Sequence, residues 1–257
     1  MGYREIVSSL TTAGIVFALV LGSALAAMFV RDLLPESHLS ADSKDAVRVG
    51  IALIATMEAL VLSLLIASAK NSYDTRRNLL VRLSADIVML DHELAHYGPE
   101  TKDARSLLQR SVAATLDRFW PGEGSTPVAK LVIASSVEAL YDAVETLSPR
   151  TEDQRALRSQ ALTLALDVGR ERALLVGNLG SAIPIPFLVI LVFWLCIIFA
   201  SFGLFAPRNA TVITVFCACA LSVAGAIFLI LELDRAIGGL LQVSGAPLRA
   251  ALAELGR

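Results

Sequence analysis

Two places in this sequence carry side chains that could do chemistry. His92-Glu93-Leu94-Ala95-His96 spells H-E-x-x-H. On a helix, histidines at i and i+4 share one face and can hold Zn²⁺, with the intervening Glu placed as a general base. A catalytic zinc needs a third protein ligand. No histidine follows His96, so that ligand would be a carboxylate such as Glu138, with Asp142 one turn on. Against such a site, Leu90, Leu94 and Tyr97 claim the buried face and leave both histidines at its edge or in solvent. No sheet is expected beside the helix, and the metzincin extension is missing. His92, Glu93 and His96 therefore read as a chance match, and the sequence predicts no metal, no cofactor and no enzyme. The second place is Glu58, ten residues after Arg48 and twelve before Lys70 in an otherwise apolar run. An ionisable side chain near a bilayer midplane costs several kcal/mol unless it is neutralised, paired or wetted. In a symmetric oligomer one Glu58 per subunit would form a ring that favours cations. The competing expectation is structural: a protonated Glu58 hydrogen-bonded to a neighbouring helix, with Thr56 or Ser63 as partner.

The elements that position these residues follow from composition. Of the 257 residues 55% are hydrophobic and 18% charged, with mean hydropathy +0.65. Soluble domains average about 45–50% apolar and about 25% charged residues, so this is the composition of a membrane protein. A net charge of −2 supplies no basic field for nucleic acid. Four stretches reach the roughly 20 apolar residues a spanning helix needs: about Thr11–Val30, Val49–Ala69, Ile183–Phe205 and Ala210–Leu233. Arg4, an apolar run and Ala24-Leu25-Ala26 also fit a cleavable signal peptide. The run continues through Met28-Phe29-Val30, which favours a retained span. Pro207-Arg208-Asn209 predicts a tight hairpin between the third and fourth spans.

Orientation follows from the basic residues flanking the spans. Lys70, Arg76, Arg77 and Arg82 follow the second span, and Arg170 and Arg172 precede the third. The loop from Arg31 to Arg48 mixes its basic residues with Asp32, Glu36, Asp42 and Asp45, and the hairpin has Arg208 alone. Both termini and the segment 70–181 are therefore predicted cytoplasmic, in a multi-pass protein of a bacterial inner membrane. Cys196, Cys217 and Cys219 all lie inside spans, so no disulfide framework is expected.

The segment 70–181 reads as helices. Leu80, Leu83, Ile87, Leu90, Leu94 and Tyr97 recur at three- and four-residue steps. No breaker separates them from the second span, so one helix is predicted to run through both until Gly98-Pro99 stops it. A second helix presents Leu108, Val112, Leu116 and Phe119, and Trp120-Pro121-Gly122 through Pro127 reads as a loop. A third carries Ile133, Val137, Leu140, Val144 and Leu147. Ser148 and Pro149 predict the start of a fourth, with Leu157, Ala161, Leu164 and Val168. Pro247–Leu255 is an amphipathic tail for the membrane surface or for these helices. The expected fold class is all-α, divided into 1–69 (two spans), 70–181 (cytoplasmic helices), 182–234 (two spans) and 235–257 (tail).

At this point the residues resemble a known family. Two spans, a helical insert and a two-span hairpin lead to Leu233-Asp234-Arg235 with Gly239, Val243-Ser244 and Pro247-Leu248. Ser72-Tyr73-Asp74, Asp91, Tyr97-Gly98-Pro99-Glu100, Trp120-Pro121 and the Arg170/Arg172 pair before Pro184 complete the pattern. It is similar to the bestrophin-like bacterial membrane proteins. Ala236-Ile237 departs from the Pro-Phe usual there, which removes support for a role of that turn. Bestrophins proper are pentameric ion channels with an apolar neck, so the resemblance implies a homo-oligomer in the lipid bilayer, a pentamer by analogy, that passes inorganic ions. Within it Glu58 would set selectivity, and Ile183 and Phe187, one turn apart, would form an apolar gate. Arg76, Arg77, Arg170 and Arg172 would charge a vestibule, or only fix topology and meet anionic headgroups. Asp234 and Arg235, with Gly239, would fix the turn after the fourth span. The alternative is a non-conducting scaffold or sensor whose cytoplasmic helices bind a partner.

Overall fold

The computed structural model describes residues 2–35, 41–120, 135–177, 183–235 and 241–256, and these are helical throughout apart from short connections. The helices are α1 (Gly2–Val30), α2 (Ala41–Tyr97), α3 (Lys102–Phe119), α4 (Ser135–Glu145), α5 (Glu152–Gly177), α6 (Ile185–Phe205), α7 (Ala210–Asp234) and α8 (Ala246–Glu254). Among the described residues, four helices are long and apolar enough to cross a membrane: Ser9–Leu33, Ala41–Tyr97, Ile185–Phe205 and Ala210–Asp234. The helix of the second span continues to Tyr97 without interruption. It ends where Gly98 takes φ 135°, a conformation that favours glycine. Thr101 Oγ1 then donates to the carbonyls of Leu94 (2.6 Å) and Gly98 (2.8 Å), satisfying acceptors the helix end leaves open.

The chain divides into two compact units. The first comprises Met1–Tyr73 and Ser181–Gln242. In it α1 packs against α6 and α7. Val16, Val20 and Ala24 of α1, Leu191, Leu195 and Phe199 of α6, and Ala220, Ile227 and Ile230 of α7 form one buried cluster. Small residues set the α1–α6 crossing. Ala24 is fully buried, and a Cβ on Gly203 would stand 2.1 Å from the Ala24 carbonyl oxygen. The ends of these helices are tied reciprocally. Arg208, in the α6–α7 hairpin, donates from Nε (3.0 Å) and Nη2 (2.5 Å) to the Met28 carbonyl. It also reaches Asp32 at 2.5 Å and covers the Phe29 ring at 4.8 Å. Arg31 Nη1 in turn donates to Ala206 O at 2.9 Å. The Arg208 side chain is 40% and that of Asp32 61% exposed, so solvent screens the ion pair and the carbonyl cap carries most of the effect. Arg208→Gln is expected to cost about 1 kcal/mol, read as a lowered thermal midpoint, whereas Asp32→Asn changes little. Equal losses from the two variants would show that the ion pair dominates instead.

The second unit comprises Asp74–Gly180 and Val243–Arg257. Leu80, Leu83, Ile87, Leu90, Leu94 and Tyr97 are all buried, as are Leu108, Val112 and Leu116 of α3. On α5 the seam moves relative to expectation. Ala161, Ala165 and Val168 are buried, while Leu157 and Leu164 are only half-buried. The start of α5 also differs. Ser148 and Pro149 lie outside the helix, and Thr151 accepts from the Gln154 backbone N–H at 3.1 Å while Gln154 Oε1 accepts from Arg150 N at 2.8 Å. Thr151 and Gln154 cap the helix in the manner of a capping box, with Gln154 reaching the N–H of Arg150 just before the cap, and these hydrogen bonds outweigh the proline signal upstream. On α4, Leu140 and Val144 are buried, Ile133 lies outside the described residues, and so does the 121–127 loop. The C-terminal tail packs against this unit's own helices. Trp120 Nε1 donates to Val243 O at 2.7 Å, and Leu248 is buried. Gly245 lies so close to the indole that a Cβ would come within 2.8 Å of it.

Candidate functional site

The membrane part of α2 buries a narrow seam. Ile51, Glu58 and Leu65 recur every seven residues and are all buried, Glu58 being 8% exposed. Ile54, Val61 and Ser68, each three residues further on, are half-buried. This is the a/d spacing of a packed helix, so Glu58 occupies a seam position that an aliphatic residue would ordinarily take. Leu53, Met57, Leu60 and Leu64 lie on another side of the helix and are 51–68% exposed. The proposed structural partners of Glu58 are engaged elsewhere as donors. Thr56 Oγ1 donates to Leu53 O and Ser63 Oγ to Ala59 O, each at 2.7 Å within α2.

The two residues expected to form an apolar gate differ in burial. Helix α6 begins at Ile185 with Pro184 as its extended N-cap and Pro186 in the first turn, where a missing N–H costs nothing. Ile183 therefore precedes the helix, and it belongs to the buried core of the first unit. Phe187 remains 44% exposed. Of the pair, only Phe187 offers a face beyond its own chain. At the end of α7, Asp234 is 4% exposed and Arg235, the C-cap, is half-buried. Gly239 lies outside the described residues.

The four arginines proposed for a vestibule fall into two kinds. Arg77 and Arg170 are exposed. Arg76 is 3% exposed, and Arg172 is half-buried, lining a small cavity among Leu83, Ile87, Leu108, Leu140 and Leu248. Burial, followed by the like charge of Arg118, lowers the Arg172 guanidinium from its ordinary value. Glu171, between Arg170 and Arg172, is shifted as well. Burial raises its carboxyl, and the neighbouring Asp86, by charge and hydrogen bond, raises it further. Its Oε2 is buried without a hydrogen-bond partner.

Around the H-E-x-x-H motif, His92 and His96 are exposed and Glu93 is half-buried. The His96 Nδ1 lies 2.8 Å from the His92 carbonyl. Glu138 and Asp142 are exposed on α4, and among the described residues no three His, Cys, Asp or Glu side chains gather as a metal site would require. The residue of consequence here is their neighbour. Asp91 is 3% exposed and accepts from Arg105 Nε (2.7 Å), Arg105 Nη2 (2.8 Å) and the Gly256 backbone N–H (3.2 Å). Burial alone would raise the Asp91 carboxyl. The Arg105 hydrogen bond, the Gly256 N–H and the nearby positive charges outweigh it and hold the carboxyl below the usual aspartate value. The sequence pattern pointed to Asp91 but gave no sign of Arg105 or Gly256. A partner fourteen residues away and one 165 away leave no periodic trace.

Comparison with known proteins agrees with this architecture. The profile of the bestrophin-like domain matches residues 10–248. A crystal structure of a bacterial bestrophin homologue from Klebsiella pneumoniae, carrying an isoleucine-to-threonine substitution, superposes with a TM-score of 0.62. The sequences are 15% identical, and the match covers 94% of this chain and 96% of the other. No curated protein matches the sequence. A domain profile spanning nearly the whole chain, on an all-helical membrane fold of the same kind, places this protein in the bestrophin-like family.

Proposed function

We propose that this protein is a homo-oligomeric ion channel of the bacterial inner membrane, with both termini cytoplasmic and the spans of several subunits surrounding a central path. The observation that carries this reading is the likeness of fold to a bestrophin homologue over nearly the full length of both chains. Helix α2 supports it. Its membrane part is mostly exposed within one chain, and its exposed apolar stripe needs lipid or neighbouring subunits to cover it. Five subunits is the number that analogy with bestrophins suggests.

Glu58 is the proposed source of cation preference. It is ten residues from Arg48, about 15 Å along the helix and so near the middle of a roughly 30 Å hydrocarbon core. Glu58 is 8% exposed within one chain, so in this reading the ring it contributes to favours cations where the path of the oligomer wets it. Ile183 and Phe187 are the proposed apolar gate at the start of α6, and of the two Phe187 is the exposed member. Arg77 and Arg170 are the exposed members of the proposed vestibule, and Arg76 and Arg172 their packed neighbours.

Ion flux into liposomes under K⁺, Na⁺ and Cl⁻ gradients tests this, with wild type beside Glu58→Gln. Cation flux is expected from the wild type, falling several-fold or losing its preference over Cl⁻ in the variant. Unchanged flux would remove Glu58 from the mechanism. No flux under any gradient would favour a scaffold or sensor whose second helical unit binds a partner.

A further inference from the structure

The first unit holds a cleft between α2, α6 and α7 with a volume of about 610 Å³, within the ~300–1,000 Å³ typical of small-molecule sites. One side is formed by Ala52 and Ala55 of α2, whose short side chains leave the space open, and the other by Phe202, Phe205 and Phe216. The charged residue in this lining is Arg48. If Glu58 is near mid-membrane, Arg48 stands about 15 Å away, at the headgroup boundary, and Ala55 lies about 10 Å deeper than Arg48. The cleft is thus cationic at the level where a bilayer carries phosphates and apolar at the level where it carries acyl chains.

We propose that this cleft binds one membrane glycerophospholipid, with an acyl chain between the Ala52/Ala55 wall and the three phenylalanines and the phosphate on the Arg48 guanidinium. Charge complementarity and depth both favour this occupant. The Arg48–Asp45 ion pair is a single 3.3 Å contact one turn apart with side chains 76% and 73% exposed. Such a pair is weak and leaves the remaining N–H donors of a planar fork that suits phosphate. The proposal stands apart from ion conduction and is read without it.

The test uses the full chain with Phe202→Trp as a reporter, purified in detergent and titrated with phospholipid bearing brominated acyl chains, which quench indole on contact. Quenching beyond that of the native tryptophans is expected to saturate at about one lipid per chain. Arg48→Gln in the reporter background is expected to raise the half-saturating concentration about tenfold, and brominated diacylglycerol, which lacks the phosphate, to bind equally poorly with or without Arg48. Filling the slot with Ala52→Phe and Ala55→Phe should abolish the saturable component. Quenching that rises without saturation, or is indifferent to Arg48 and to the phosphate, would overturn the proposal. So would a filled-slot variant that keeps its lipid but loses its oligomeric state, because the cleft would then receive a second copy of this chain. Arg48→Gln alters only an exposed side chain, so the test survives a failure of the filled-slot variant to fold.

Discussion

Gly203→Ala is expected to lower the stability of the protein by about 3 kcal/mol or more, and Gly203→Val by more still. The added Cβ would stand 2.1 Å from the Ala24 carbonyl oxygen, 2.8 Å from its carbon and 3.0 Å from its Cα. All three atoms are backbone, so no side-chain rotation relieves the clash and the two helices must move apart. Separation would loosen the buried cluster of Val20, Ala24, Leu195 and Phe199 on both sides of the crossing. Between membrane helices, close packing of small residues supplies much of the association energy, because lipid tails solvate apolar side chains as well as another helix does. Unfolding of the purified protein, followed by circular dichroism against increasing sodium dodecyl sulfate, measures the loss. An unchanged midpoint in Gly203→Ala would mean that α1 and α6 do not approach as described.

Asp91→Ala is expected to cost about 3–5 kcal/mol at neutral pH. It leaves Arg105, whose side chain is 22% exposed, without its bidentate partner, and it frees the Gly256 N–H that fastens the C-terminus. The pH dependence follows from the direction of the shift. The Asp91 carboxyl is held below its ordinary value in the folded state. Its contribution is therefore complete above the unfolded value of about 4 and is lost as pH falls toward the lower native one. The stability difference between wild type and Asp91→Ala should be largest at pH 7 and should shrink below about pH 4. Urea unfolding monitored by tryptophan fluorescence measures it, since Trp120 is held to Val243 by its own hydrogen bond. A difference that stays constant down to pH 3 would show that the pair contributes through packing alone.

Much of the fold is legible in the sequence alone. A run of about 20 apolar residues cannot remain in water, and it must satisfy its backbone internally in lipid, so the four spans follow from composition alone. The seam from Leu80 to Tyr97 was equally open to reading, because a helix that buries one face must repeat its apolar residues at three- and four-residue steps. The end of α2 was visible in Gly98-Pro99. Ser148-Pro149 suggests a start for α5 earlier than the one that forms, whereas Thr151 and Gln154 supply the hydrogen bonds that cap it. Two local signals competed, and the one making paired hydrogen bonds prevailed.

The candidate site was legible only in part. Glu58 stood out because a carboxylate in an apolar run is costly wherever it points, but its direction was not in that argument. Only packing shows that it shares the seam of Ile51 and Leu65, apart from the exposed stripe of Leu53, Met57, Leu60 and Leu64. Ile183 and Phe187 are one turn apart by spacing, but the helix begins after Pro184, so Ile183 is buried in the core while Phe187 is exposed. Arg208, alone in its hairpin by sequence, caps a helix end 180 residues earlier.

What the sequence determined by itself was the membrane character, the all-α class and the positions of the helices, because hydrophobic content and periodicity are properties of neighbouring residues. What the tertiary structure alone decided was which of those residues meet: Gly203 with Ala24, Asp91 with Arg105 and Gly256, and Arg48 with a cleft walled by alanines and phenylalanines. Those pairings join side chains distant in the chain whose fit depends on shape and charge in three dimensions, and a one-dimensional pattern carries no term for either.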